Sequence, residues 1–332
     1  MKRTTTLFAM LFAASAAFAQ SATITTQTPT AQSAKQAPPA PGTPRNFAIP
    51  EIRRFSLPNG LQVRLVSYGE VPKVTIRLVT QTGNVDEAAT ETWLADVTGA
   101  MLEQGTATRS PEQIAQDVAM MGGSLDVSVG ANQVTIGTDV FSESAVDAVA
   151  LIGDVARNPR FPETELTRIK TDLARTLSIQ RSQPGQLAAE KMSQVLFGNS
   201  AYGRQFPTEQ QLQGYTLAQT RAFYDRNFGA ARSFVYVVGN FDAAAVEAAI
   251  RRSLGEWKAG NPATRPTVTT NARRAIYLID RPRAVQSTLH IGLPIADAAG
   301  PDYLPITVMN ALLGGSFGSR ITSNIREQKG YT

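Results

Sequence analysis

From Ile52 onward the apolar residues recur at two different periods, and the order of those periods confines the chain to a mixed fold of strands and helices. Phe55 to Leu57 and Leu61 to Val66, joined by a turn at Asn59-Gly60, read as a hairpin. Val74 to Val79 alternates as a third strand. The period then lengthens: Leu94, Val97 and Met101 recur at spacings of three and four, which predicts a helix from about Thr90 to Glu103. A second helix, Pro111 to Met121, is opened by Ser110 as a cap with Pro at its first position and is ended by Gly122-Gly123. Leu125 to Val129 and Val134 to Val140 return to the strand period. Helices are predicted over 142–157, 162–181, 184–196 and 217–228, then a strand from Phe234 to Gly239 and a helix from Ala243 to Leu254.

The flanks read differently. Met1-Lys2-Arg3 is a basic start, Leu7 to Ala17 an apolar run, and Ala17-Phe18-Ala19 a small-x-small cleavage pattern, so residues 1–19 read as a secretory signal peptide. The run is too short to span a bilayer, and no later span is visible. No cysteine stands at the cleavage point to carry a lipid, and a soluble periplasmic protein is expected. Residues 20–48 are rich in Ser, Thr, Gln, Ala and Pro, bury too little to order themselves, and read as a disordered linker. A first domain is assigned to 49–258. Gly260, Pro262 and Pro266 punctuate a linker over 259–272. Residues 273–332 begin a second domain, with strands expected at Ala275–Ile279 and Ser287–Gly292 and a helix from about Tyr303 to Leu313. About sixty residues fall below the usual domain size, so an incomplete domain is expected.

Composition narrows the chemistry. There are no cysteines, which removes disulfides and thiolate catalysis. Without Lys2 and Arg3 the chain has 30 basic against 27 acidic residues; this mild excess, without a basic cluster, argues against a nucleic-acid partner. Gly314-Gly315 is followed by no Lys-Ser/Thr pair and is not a phosphate loop.

Several fragments, in order, carry a resemblance. Leu57-Pro58-Asn59-Gly60-Leu61 is similar to an opening LPNGL hairpin, and Gly83, Asp86 and Glu87 to a GsrdE turn. Met101-Leu102 with Gly105-Thr106 resembles the tail of a His-x-x-Glu-His helix, and Asn158-Pro159-Arg160-Phe161-Pro162 an nPxfp segment. Ala201-Tyr202-Gly203, Phe223-Tyr224 and Val237-Val238-Gly239-Asn240 are three further landmarks. Their collinear order resembles the M16 (pitrilysin, or insulinase) metallopeptidases. The resemblance implies an α+β, LuxS/MPP-like metallohydrolase fold: mostly antiparallel sheets backed by helices, in two homologous domains, the second truncated here.

It also implies a zinc site that this sequence does not supply. In the family pattern two His one helical turn apart bind the metal, a Glu between them acts as base, and a later Glu is the third ligand. Anchoring on Met101-Leu102 and Gly105-Thr106 places the first His at Asp96, the base at Gly99 and the second His at Ala100; the third ligand falls near Thr176. The whole chain has one histidine, His290, in the second domain, which reads as a structural or surface residue. Asp96 and Glu103 could form a residual carboxylate metal site, but two solvated helix residues are the expected reading. No catalytic residue and no metal ligand is therefore assigned to this chain.

Near the C-terminus, Gly314-Gly315-Ser316-Phe317-Gly318-Ser319-Arg320 and Asn324 to Tyr331 resemble a segment whose Arg/Tyr pair grips substrate. Arg326 falls on the Arg; Tyr331 lies one residue short of the Tyr, on a preceding aromatic or aliphatic position. A guanidinium and a phenol would donate to the carbonyl oxygens of an extended peptide. The alternative for Arg326 is pairing with a neighbouring acid. Together these features suggest the non-catalytic, substrate-binding subunit of a periplasmic heterodimer, with zinc on a partner M16 subunit and a peptide as substrate. A stand-alone peptide-binding scaffold and a metalloendopeptidase with unusual ligands are the alternatives.

Overall fold

A computed structural model describes residue 42 and residues 48–332 except 266, 272 and 296. The signal peptide over 1–19 and almost all of the linker over 20–48 lie outside the described residues. Six strands form one sheet: β1 (Arg53–Ser56), β2 (Gln62–Ser67), β3 (Lys73–Thr80), β4 (Asp126–Val129), β5 (Val134–Phe141) and β6 (Ser233–Gly239), in the order β1-β2-β6-β3-β5-β4. Every neighbouring pair is antiparallel except β2 with β6. The sheet and its helices form the expected α+β unit. β6 lies more than 150 residues beyond the two strands it separates, a placement that no local pattern predicts.

The β1–β2 hairpin closes at Gly60, whose φ of +92° suits a residue without a side chain. Asn59 Nδ2 donates to the carbonyls of Leu254 and Trp257, at 2.8 and 3.0 Å, and ties the turn to the end of a distant helix. Alternate strand residues, among them Val63, Leu65, Ile76, Leu78, Ile136, Val235 and Val237, are buried on one face. Helices α3 (Ala145–Arg157) and α8 (Ala243–Leu254) pack on each other, and α3 also covers β3 and β5. Burying each such Val, Leu or Ile contributes about 1.5–3 kcal/mol, so this two-period core carries the fold.

The other α-helices are α1 (Leu94–Leu102), α2 (Pro111–Met120), α4 (Glu163–Ser182), α5 (Pro184–Phe197), α6 (Glu209–Gly214), α7 (Leu217–Asn227), α9 (Tyr303–Asn310) and the single turn α10 (Arg320–Thr322). Their caps are chemical: Ser110 and Gln113 form a capping box on α2, Thr216 and Gln219 another on α7, and Asp242 accepts from Ala244 and Ala245 at the start of α8. α6 is not predicted from the sequence; Thr208, which accepts from Gln211 N, is the cap that could have revealed it. No described helix is long and apolar enough to cross a membrane.

Two expectations need correction. The strands expected at Ala275–Ile279 and Ser287–Gly292 do not form. Their apolar residues stand in solvent, with Ile276 and Ile291 almost fully exposed, because no neighbouring strand takes up their backbone N–H and C=O groups. The helix expected from Tyr303 to Leu313 ends at Asn310 and continues as a π-turn over Ala311–Gly315.

Candidate functional site

The helix that the family resemblance singles out, α1, begins without a cap of its own. Trp93 precedes it at φ 70°, a left-handed conformation, and offers no side-chain acceptor. Glu87 supplies one from the preceding loop: its carboxyl accepts from Trp93 N at 3.1 Å and from Ala95 N at 2.8 Å. A carboxyl there satisfies orphan N–H donors at the start of the helix. Asn84 Nδ2 donates to Glu87 Oε1 at 3.1 Å and to Asp96 Oδ2 at 2.8 Å, so one amide bridges two carboxyls. Tyr215 Oη donates to the Thr92 carbonyl at 2.7 Å and closes the knot from the far side.

Burial pushes Glu87 up to about 8, and the nearby Asp96 charge adds to the rise, against the hydrogen bonds from Ala95, Asn84 and Trp93. Burial likewise raises Asp96, opposed by its bond from Asn84. The Tyr215 hydroxyl is raised by burial and by the Glu87 and Glu91 charges. The expectation that Asp96 is a solvated helix residue is thus overturned, because the Asn84 turn folds over it. Glu103 is exposed, as expected. His290 is exposed too. Asn84 and Tyr215 escaped the sequence reading, although Asn84 adjoins the quoted Gly83-to-Glu87 turn.

The same turn is held by a buried ion pair. Arg232, 4% exposed, donates through Nη2 to both carboxylate oxygens of Asp86, at 3.1 and 3.2 Å. Its Nε and Nη1 reach the Gln81 carbonyl and Asn227 Oδ1.

Further along α1, the base position is closed. A Cβ at Gly99 would lie 2.4 Å from Val129 Cγ2, because β4 packs directly over this face of the helix. Ala100 beside it is half-buried. α4 packs against α1, but its Thr176 is exposed and its hydroxyl donates back to the Asp172 carbonyl at 3.1 Å. No group of three or more His, Cys, Asp or Glu among the described residues could hold a metal ion. The side chains at Asp96, Gly99, Ala100 and Thr176 offer one carboxylate, already hydrogen-bonded to Asn84, and do not fit zinc. Gly99→Ala is expected to lower stability by about 1–3 kcal/mol through overpacking, despite the better helix propensity of Ala. Pairing it with Val129→Ala should recover part of that loss, and urea unfolding of both variants measures it.

Arg326 and Tyr331 are not brought together by their side chains. Arg326 lies over the Phe317 ring, 5.3 Å from its centroid, with Glu327 at 3.8 Å, whereas Tyr331 is 77% exposed. The neighbouring-acid pairing expected as the alternative is present, with the next residue, Glu327.

Comparison with known proteins agrees with this architecture. The family profile described as insulinase (peptidase family M16) matches residues 63–207, and that of the peptidase M16 inactive domain matches 214–332. The chain belongs to the M16 peptidase family. An uncharacterized zinc protease of Rickettsia felis is 24% identical over 86% of this M16 chain, and one of Bacillus subtilis is 23% identical over 84%. The chain spans 68% of the length of each of these, and 64% of a Mycobacterium tuberculosis relative that is 25% identical over 84% of this chain. The crystal structure of a peptidase M16 inactive domain from Pseudomonas fluorescens superposes with a TM-score of 0.71 at 25% identity, over 84% of this chain and 68% of that one. A Helicobacter pylori protease shares the fold with a TM-score of 0.73 at 14% identity, over 85% of this chain and 70% of that one.

Proposed function

We propose that this M16 chain is a non-catalytic, substrate-binding subunit of a periplasmic zinc-peptidase heterodimer. One observation carries the reading: the α1 positions matched to the family's zinc helix hold Asp96, Gly99 and Ala100, and Val129 occupies the space a base at 99 would need. Zinc would sit on a partner M16 subunit that brings its own histidines and Glu. This chain would help to hold the peptide, with Arg326 donating to its backbone. β4 ends the sheet, so one of its hydrogen-bonding edges has no partner strand in the sheet and could accept an extended peptide. The likeness to a solved M16 inactive domain supports the assignment. The signal-peptide pattern of residues 1–19 supports a periplasmic location, and the fold is shared with the periplasmic protease PqqL of Escherichia coli (TM-score 0.60).

The test is zinc content and cleavage of a quenched peptide library, by the chain alone and mixed with a zinc-motif M16 relative. The expected outcome is no zinc and no cleavage alone, with activity in the mixture. Arg326→Ala should lower kcat/KM of the mixture by on the order of 10²-fold, as loss of a positioned donor does. Stoichiometric zinc with chelator-sensitive cleavage by the chain alone would overturn the reading. Peptide binding with no activity in any mixture would instead favour the stand-alone scaffold.

A further inference from the structure

The helices pack on one face of the sheet; the other face carries a cationic and aromatic stripe. Register places Arg54 opposite Arg64, Arg64 opposite Tyr236, and Tyr236 opposite Arg77, so these four side chains share that face. Phe234 flanks them on β6, stacked with Tyr236 at a centroid distance of 6.2 Å. From β1 across to β3 the strand residues of this face include the cations Arg54, Arg64, Lys73 and Arg77 and no carboxylate. Arg77 is paired with Asp139 on β5 at 2.9 Å. Arg54 and Arg64 have no hydrogen-bond or ion-pair partner among the described residues.

Arg64 is held where it is by the rings. Its guanidinium carbon lies 5.1 Å from the Phe234 centroid and 5.6 Å from that of Tyr236, and its Nη1 is shielded from solvent without a partner. Like charges directly opposite in a sheet repel, so the Arg54–Arg64 pair is unfavourable as it stands. A carboxylate between them would relieve the repulsion and take planar, charge-assisted hydrogen bonds from the guanidinium groups. The stacked rings beside them would take an aromatic side chain.

We propose that this open sheet face is a subsite for acidic, aromatic-bearing segments of unfolded peptide, and that it gives the chain its charge preference. The proposal rests on the substrate-binding reading above and adds the substrate class. Single-stranded nucleic acid also suits cations with aromatics, but it needs a basic groove that follows several phosphates. Here two arginines without an ion-pair partner among the described residues stand opposite each other in the register, which matches one or two carboxylates.

The experiment is fluorescence anisotropy of the chain with a fluorescein-labelled peptide alternating Glu and Phe, its counterpart alternating Lys and Phe, and a labelled oligothymidine. The Glu peptide is expected to bind about tenfold more tightly than the Lys peptide, and salt should weaken that preference. Arg64→Gln and the exposed Arg54→Gln should each remove most of the preference. Arg64→Lys, which keeps charge but loses the planar fork, should fall between. Arg252→Gln, an exposed change on α8, should leave it unaltered. Equal affinity for the two peptides, or equal effects of Arg64→Gln and Arg252→Gln, would overturn the charge preference while leaving peptide binding intact. Tighter binding of the oligothymidine would overturn it in favour of nucleic acid. Binding of neither peptide would sink both this proposal and the substrate-binding reading.

Discussion

Replacing Arg232 by Ala is expected to destabilise the protein by about 3–5 kcal/mol, the range for leaving one half of a buried ion pair behind. The guanidinium is almost wholly out of water and makes four hydrogen bonds, two to Asp86, one to the Gln81 carbonyl and one to Asn227. Its loss would strand the Asp86 charge and two further acceptors in a site too dry to rehydrate them cheaply. The damage would spread, because Asp86 closes the turn that carries Asn84 and Glu87 to the start of α1. Urea unfolding should show a lower midpoint with an unchanged m-value. Arg232→Lys keeps the charge without the fork and should recover only part of the loss. The double variant Asp86→Ala with Arg232→Ala should cost less than the two single changes added together, since they remove the same interaction. A loss below about 1 kcal/mol for Arg232→Ala would mean that the pair is not an anchor.

Stability should also fall as the pH rises from about 4.5 to about 8, through Glu87. Its carboxyl is raised in the fold, so over that window the folded chain holds a proton that the unfolded chain has released. The associated stability is complete below 4.5 and gone above about 8. A displacement of that size corresponds to roughly 3–6 kcal/mol. Glu87→Gln cannot ionise and should flatten this part of the profile, and Asp96→Asn should flatten a further part in the same direction. Asp154 works oppositely. Burial would raise it, but hydrogen bonds from Asn158, Thr106, Arg109 and Thr108 hold it below its ordinary value, so its contribution disappears in acid. The two windows do not overlap, and the difference between wild-type and Glu87→Gln profiles isolates the first. A profile for Glu87→Gln that still falls as steeply as the wild type's would show that Glu87 is ionised in the fold.

Much of the site is legible in the sequence. Asp96, Gly99 and Ala100 could be placed on one helix from Met101-Leu102 and Gly105-Thr106, and the single histidine is a matter of counting. What the pattern misjudged was the setting of Asp96. Helical periodicity puts a polar residue between apolar ones on the outer face, yet Asn84 and Glu87 cover it from a loop. The closure of Gly99 was equally invisible, since nothing in the helix indicates which strand will lie over it.

The sequence by itself determined most elements of the first domain: where all six of its strands and most of its helices run, which faces are apolar, that Ser110 caps, and that His and Cys ligands are scarce. Those properties are set within a few residues, by the two periods of the backbone and by side chains that reach their own main chain. The tertiary structure decided which elements meet. It inserted β6 between β2 and β3, buried Arg232 against Asp86, laid Val129 on Gly99, and gathered Arg54, Arg64, Phe234 and Tyr236 on one open face. It also left the alternating segments at 275–279 and 287–292 without strand partners. Pairing and burial depend on groups far apart in the chain, and a local pattern can require a partner without saying which one arrives.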